Sequence, residues 1–113
     1  MNNDIKDRSL VFGIEIAKYY LSLKEKKYYE IASQLFRSGT SIWANIAEAK
    51  NSPSKKDFIN KLHISLKEGD ETLYRLEILE KWFGEDTKLL KNECKEIVKI
   101  LVTIIKKTKN NQQ

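Results

Sequence analysis

Two groups of residues in this 113-residue chain have the types and spacing to do chemistry. The first is a set of lysines, Lys50, Lys55, Lys56, Lys106, Lys107 and Lys109. A lysine ammonium is a point charge that meets a phosphate without selecting a base and releases counterions when it does so. The second is a stripe containing Arg37, Ser38, Ser41, Asn45 and Glu48, which suits hydrogen bonding in a core or at an interface rather than catalysis. Residues for acid–base or metal chemistry are scarce. His63 is the single histidine and position 60 is Asn, so the Glu-x-x-His pairs of di-iron bundles cannot form. A zinc triad lacks its second histidine, and no histidine follows Arg75 to make an arginine–histidine ribonuclease pair. His63 reads as a surface or boundary residue, and Asp70-Glu71 as ordinary helix surface. The chain has no phosphate-cradling glycine loop and no nucleophile elbow, and the lone Cys94 falls on an apolar seam where a thiol is inert packing. These absences point away from an enzyme, a metal site or a bound cofactor.

The elements that position these residues follow from composition and period. A mass of 13.2 kDa makes one domain, residues 1–113, and surface scaling lets it bury about two-thirds of its surface. Apolar residues are 41%, charged residues 33% and mean hydropathy −0.54, with four glycines and one proline, the balance of a water-exposed helical protein. A single cysteine fits a reducing compartment, and neither a signal core nor a membrane-length apolar run is visible, so the expectation is cytoplasmic, with no membrane partner.

The first helix carries two apolar seams, Ile5, Phe12, Ile16, Tyr19, Leu23 and Leu10, Ile14, Ala17, Leu21, and ends among Lys24, Lys26 and Lys27. The second starts near Tyr28 or Tyr29 and stops at Lys50-Asn51-Ser52-Pro53-Ser54. The third has two available starts, Ser52-Pro53 or the capping-box-like Ser54 with Asp57, and runs to Phe83, where Gly84 permits a left-handed residue and Asp86 can cap the next helix. The fourth has Leu90, Cys94, Ile97, Leu101 and Ile104, with Leu89, Val98 and Ile105 widening the stripe. It frays from Lys106, leaving 107–113 as a disordered tail. Short connections and no alternating strand pattern predict an all-α, up-down-up-down antiparallel four-helix bundle. Helix four would also suit a membrane surface as a basic amphipathic helix, but its stripe is better accounted for as the fourth wall of the bundle.

Between Ile31 and Ala49 the only charges are Arg37 and Glu48, so the second helix is expected to be covered on most sides. Its stripe Gln34, Ser38, Ser41, Asn45, Glu48 and Ser52 steps by four and three, and reads equally as a polar core network or as a subunit interface. Arg37 and Glu48 stand about 16 Å apart along the axis, so each needs a partner from elsewhere. The net charge of +5 is also uneven. Counted by pole, the chain start, the 48–58 loop region and the tail hold a net +4, whereas the other pole is neutral. Solvated lysines and a phosphate-binding surface are both compatible with that pole. The aromatics Tyr19, Tyr20, Tyr28, Tyr29, Trp82 and Phe83 lie toward the neutral end, against a single-strand stacking groove.

The run from Gln34 to Glu48, QLFRSGTSIWANIAE, followed by Ser54-Lys55-Lys56-Asp57-Phe58, resembles the signature of the bacterial four-helix-bundle proteins encoded in 23S ribosomal RNA intervening sequences. That family is related to the accessory variability protein of diversity-generating retroelements. The resemblance covers essentially the whole chain and implies a homopentameric barrel of bundles without known catalytic activity. In the retroelement branch it also implies RNA or DNA binding and a reverse transcriptase partner. The matched positions are Arg37, Ser38, Ser41, Asn45 and Glu48. The chain departs at Ala49-Lys50-Asn51-Ser52, where the family usually has glycine and often an arginine-bearing loop.

Overall fold

The computed structural model describes residues 4–111, as four helices: α1 (Asp4–Glu25), α2 (Tyr29–Lys50), α3 (Lys55–Lys81) and α4 (Lys88–Asn110). No strand occurs among the described residues. Each helix packs on the next, and α4 returns to α1 to close an antiparallel bundle of 51 × 21 × 20 Å. The buried residues are the seams that the period marks: Phe12, Ile16 and Leu23 of α1, Leu35, Ile42 and Ile46 of α2, Leu62, Leu76 and Leu79 of α3, Ile97 and Leu101 of α4. Removing such side chains from water is the main stabilising term.

Local signals set the ends. Ser54, not Ser52, caps α3: its Oγ accepts the Asp57 N–H at 3.1 Å and donates to the Asp57 carboxylate at 2.9 Å. Gly84 takes the left-handed conformation (φ 70°), as does Lys27 (φ 67°), where a side chain is strained. The Asp86 carboxylate accepts the Lys88 N–H at 3.2 Å, while Thr87, the residue preceding α4, turns its hydroxyl inward to donate to the Leu76 carbonyl at 3.1 Å.

The α2–α3 seam is fastened by buried hydroxyls. Ser65 Oγ donates to the Ile42 carbonyl at 2.8 Å, and Thr72 Oγ1 stands 3.0 Å from Ser38 Oγ. Glycine allows close approach at two seams: a Cβ on Gly39 would lie 2.9 Å from Ile16 Cγ2, and one on Gly69 2.8 Å from Val98 Cγ2.

Three expectations change. The seam Leu10, Ile14, Leu21 belongs to α1 but turns away from the core, leaving these residues 45%, 48% and 60% exposed, with Val11 beside them at 59%. The first seam already fills the interior, and residues ten and fourteen lie half a turn round from twelve and sixteen. Leu89 does not widen the α4 stripe but is exposed: it turns to the outside, while Thr87 before it and Leu90 after it face α3 and the core. The tail does not fray at Lys106. α4 continues to Asn110, held by burial of Ile105, by the Thr108 hydroxyl on the Ile104 carbonyl (2.8 Å) and by the Asn111 N–H on Lys107 O (3.2 Å). Residues 112 and 113 lie outside the described residues.

At the end built from the α1–α2 and α3–α4 turns, Glu85 accepts hydrogen bonds from Tyr19 Oη (2.8 Å) and Lys26 Nζ (2.6 Å). Its burial pushes the carboxyl up, but the Lys26 and Tyr19 hydrogen bonds outweigh this and hold it below the ordinary carboxylate value.

Gly39→Leu is expected to cost about 1–3 kcal/mol in urea denaturation, because the buried Ile16 cannot withdraw. Gly13→Ala should instead gain about 0.5–1 kcal/mol, since the new Cβ would lie an ordinary 4.0 Å from Thr40 Cα. The lowered Glu85 pKa contributes stability above the unfolded carboxylate value of about 4.3, and that stability is lost as pH falls through the lower folded value. Thermal melts across that acid range should therefore show a shallower decline for Glu85→Gln than for the unaltered chain.

Candidate nucleic-acid interface

The antiparallel order brings the α2–α3 loop and the end of α4 to one pole of the bundle. Lys50 closes α2, Lys55 and Lys56 open α3, and Lys106, Lys107 and Lys109 occupy the last turns of α4. Lys55 Nζ reaches the Asn111 carbonyl at 2.7 Å, joining the loop to the α4 terminus. A cation there also complements the negative end of the α4 dipole. Lys56, Lys106, Lys107 and Lys109 are exposed and have no salt-bridge partner among the described residues. From Ile97 to the C-terminus the sequence contains Lys99, Lys106, Lys107 and Lys109 and no carboxylate. At this pole Glu48 pairs with Lys61 (2.7 Å) and Asp57 takes part in the Ser54 cap, while Glu93, Glu80 and Glu85 pair with Arg8, Lys91 and Lys26 away from it.

The α2 stripe divides. Ser38 is fully buried against Thr72, whereas Ser41 and Asn45 are half-buried and Gln34, Arg37 and Glu48 are exposed. Within one chain the stripe follows the α2–α3 edge: Ser38 turns inward, and Gln34, Arg37 and Glu48 stay open. Ser41 Oγ donates to Arg37 O (2.6 Å) and Asn45 Nδ2 to Ser41 O (2.9 Å), bonds that one chain completes by itself. The charged ends find partners on α3. Arg37 meets Glu68 (3.4 Å) and Glu71 (3.2 Å), and Glu48 meets Lys61 (2.7 Å). Burial raises the Glu71 carboxyl, but Arg37 and Arg75 together bring it below its usual value.

One feature of the basic pole escaped the sequence reading. Phe58, Ile100 and Ile104 floor a groove of about 510 Å³ whose sides carry Lys99, Thr103, Lys107, Thr108 and Asn111. Phe58 is an aromatic at the charged end, eight residues after Lys50 in sequence and beside the α4 tail in space. Only the α3–α4 register brings it there; the sole sequence signal was an aromatic next to Lys55-Lys56-Asp57.

The remaining reactive groups stand apart. Burial, with Asp70 and Glu93 nearby, pushes the Cys94 thiol up to about 12, and its Sγ lies 3.5 Å from the Gly69 carbonyl. His63 is exposed. No cluster of three His, Cys, Asp or Glu residues able to hold a metal ion occurs among the described residues. No described helix is long and apolar enough to cross a membrane.

The family model for 23S rRNA-intervening sequence proteins matches residues 1–103. Among solved structures, a protein of unknown function from the S23 ribosomal protein family of Bacteroides thetaiotaomicron is 44% identical. It superposes with a TM-score of 0.87 over 90% of this chain and 98% of its own. No curated protein matches. With the fold reproduced at that identity and the family model spanning nearly the whole chain, the protein belongs to the 23S rRNA-intervening sequence protein family.

Proposed function

We propose that this chain is a non-enzymatic, self-associating helical module that holds RNA or DNA by its phosphate backbone, as an accessory to a nucleic-acid enzyme such as a reverse transcriptase. The observation that carries the reading is the segregation of charge. Four lysines and no carboxylate follow Glu96, and the antiparallel fold sets Lys50, Lys55 and Lys56 at the same pole. Such a surface gains free energy by releasing the counterions condensed on a polyphosphate.

Self-association rests on a different surface. Leu10, Val11, Ile14 and Leu21 point away from the core of α1, and Phe36 of α2, 38% exposed, packs on Tyr20 with ring centroids 4.8 Å apart. A contiguous apolar face of this kind on a water-exposed protein is where another protein surface packs. On the family resemblance we take a second copy as the occupant and five as the number. Repetition around a ring would multiply the lysine pole. The half-buried Ser41 and Asn45, with Arg37 and Glu48, would then border neighbouring bundles. This apolar face also favours a second reading, a protein-interaction scaffold whose positive charge is incidental.

Fluorescence anisotropy with labelled RNA and duplex DNA across a salt series separates the two. Phosphate binding predicts a log-linear loss of affinity with salt. Replacing Lys50, Lys55, Lys56, Lys106, Lys107 and Lys109 by Gln should flatten the slope by about 0.7–0.9 for each phosphate contact removed. An oligomer that binds neither ligand at low salt would leave the scaffold. Light scattering tests the other surface: Ile14→Glu with Leu21→Glu should reduce the particle to the 13.2 kDa chain while circular dichroism stays helical.

A further inference from the structure

The groove at the basic pole lies between the last turns of α4 and the start of α3. Arg8 pairs with Glu93, so in the antiparallel pairing Asp4 is level with residue 97 of α4. Beyond that level α4 continues for more than three turns, about 20 Å, without a described part of α1 alongside. Ile100 and Ile104 line the groove from α4, and Phe58 of α3 supplies the adjoining wall. All three are half-buried, packed on the core below and open to the groove above.

We infer that this groove takes an unpaired nucleobase of single-stranded RNA or DNA, whose neighbouring phosphates lie on Lys99 and Lys107. The inference rests on the reading of the pole as a phosphate-binding surface and adds a preference among nucleic acids. Three observations support this occupant. The floor is aromatic and aliphatic, the surface on which a base face is sequence-tolerantly stacked. The rims are cationic at both ends: Lys99 and Lys107 are eight residues apart, about 12 Å along the helix. Lys107 has no salt bridge among the described residues, and Lys99 has only a long 3.4 Å contact with Glu96 on the solvent side. Finally, polar edges are at hand. The hydroxyls of Thr103 and Thr108 donate to Lys99 O and Ile104 O, which leaves their oxygens as acceptors, and Asn111 adds an exposed amide. A duplex keeps its bases stacked inside and presents only phosphates, so it would engage the lysines and leave the groove empty.

The test compares one oligonucleotide sequence as single-stranded RNA, single-stranded DNA and their duplexes, by anisotropy at one salt concentration. The unaltered chain should bind the single strands about tenfold more tightly than the duplexes, the factor that one stacked base supplies. Thr103→Trp fills the groove from an exposed position and should abolish that preference while leaving duplex affinity unchanged. Phe58→Leu should reduce it several-fold. If Phe58→Leu loosens the fold, Thr103→Trp alone decides. Parallel loss of single-strand and duplex binding on Lys→Gln replacement would mark the phosphate surface, which groove variants must not affect. Equal affinity for single strand and duplex, unmoved by Thr103→Trp, would overturn the groove assignment and leave the phosphate reading standing. Absence of binding to every oligonucleotide would overturn both. A single-strand preference confined to RNA would place the 2′-hydroxyl in the groove's recognition, and one shared with DNA would assign it to the base alone.

Discussion

The register between α2 and α3 is the constraint on which the rest of the molecule depends. It is fixed by polar atoms without access to water, Ser65 Oγ on the Ile42 carbonyl and Thr72 Oγ1 against Ser38 Oγ, among residues that are fully buried. Apolar side chains tolerate sliding, because neighbouring registers bury similar areas; a buried hydroxyl left unpaired costs about 1–3 kcal/mol, so the Ser65–Ile42 bond penalises other registers, while Thr72 and Ser38 each keep a carbonyl of their own helix as well. Gly39 and Gly69 act alongside. They admit Ile16 and Val98 where a Cβ would collide, so α1 and α4 have one depth at which they seat. With both seams set, the loop lysines and the α4 tail meet at one pole, and Lys55 reaches the Asn111 carbonyl.

Charge is arranged along the same axis. Several carboxylates in the middle and at the neutral end have cationic partners: Glu68 and Glu71 with Arg37, Glu77 and Glu80 with Lys91, Glu85 with Lys26, Glu93 with Arg8. Each pair has at least one substantially exposed partner, so each contributes little to stability. Their larger effect is electrostatic. They cancel the field over most of the surface and leave the excess where Lys106, Lys107 and Lys109 close α4. A modest net charge thereby becomes a local one.

Much of this was legible in the amino-acid order, and the failures have physical reasons. The helices, their turns and the core seams follow from a 3.6-residue period and from Gly84 and Ser54, which act locally. The orientation of α1 was harder: Leu10, Ile14 and Leu21 mimic a core seam, since periodicity reports that a face is apolar without reporting what lies against it. The α2 stripe's scarcity of charge suggested coverage on most sides, and its two charges, Arg37 and Glu48, sit at the α2–α3 edge and find the outside partners they need on α3. The groove at Phe58 was beyond reach, because it requires the α3–α4 register, which no local pattern contains.

The two surfaces that bear on function respond oppositely to solution conditions. Burial of the outward α1 face is strengthened by excluded salts such as sulfate, whereas lysine–phosphate attraction is weakened as ionic strength rises. They are also spatially separate: Ile14 and Leu21 are mid-helix and beyond, toward the neutral end, and the lysines cluster at the other pole. An assembly built through α1 would therefore persist at salt concentrations that release nucleic acid. It would present the lysine poles as a fixed array whether or not they were occupied. Affinity in such an array depends on how many poles one strand can span at once, since each additional contact is intramolecular. On the proposed function, a chain whose own pole holds only a handful of lysines would thus bind a long polyphosphate firmly as an assembly and a short one weakly, without any change in the bundle itself.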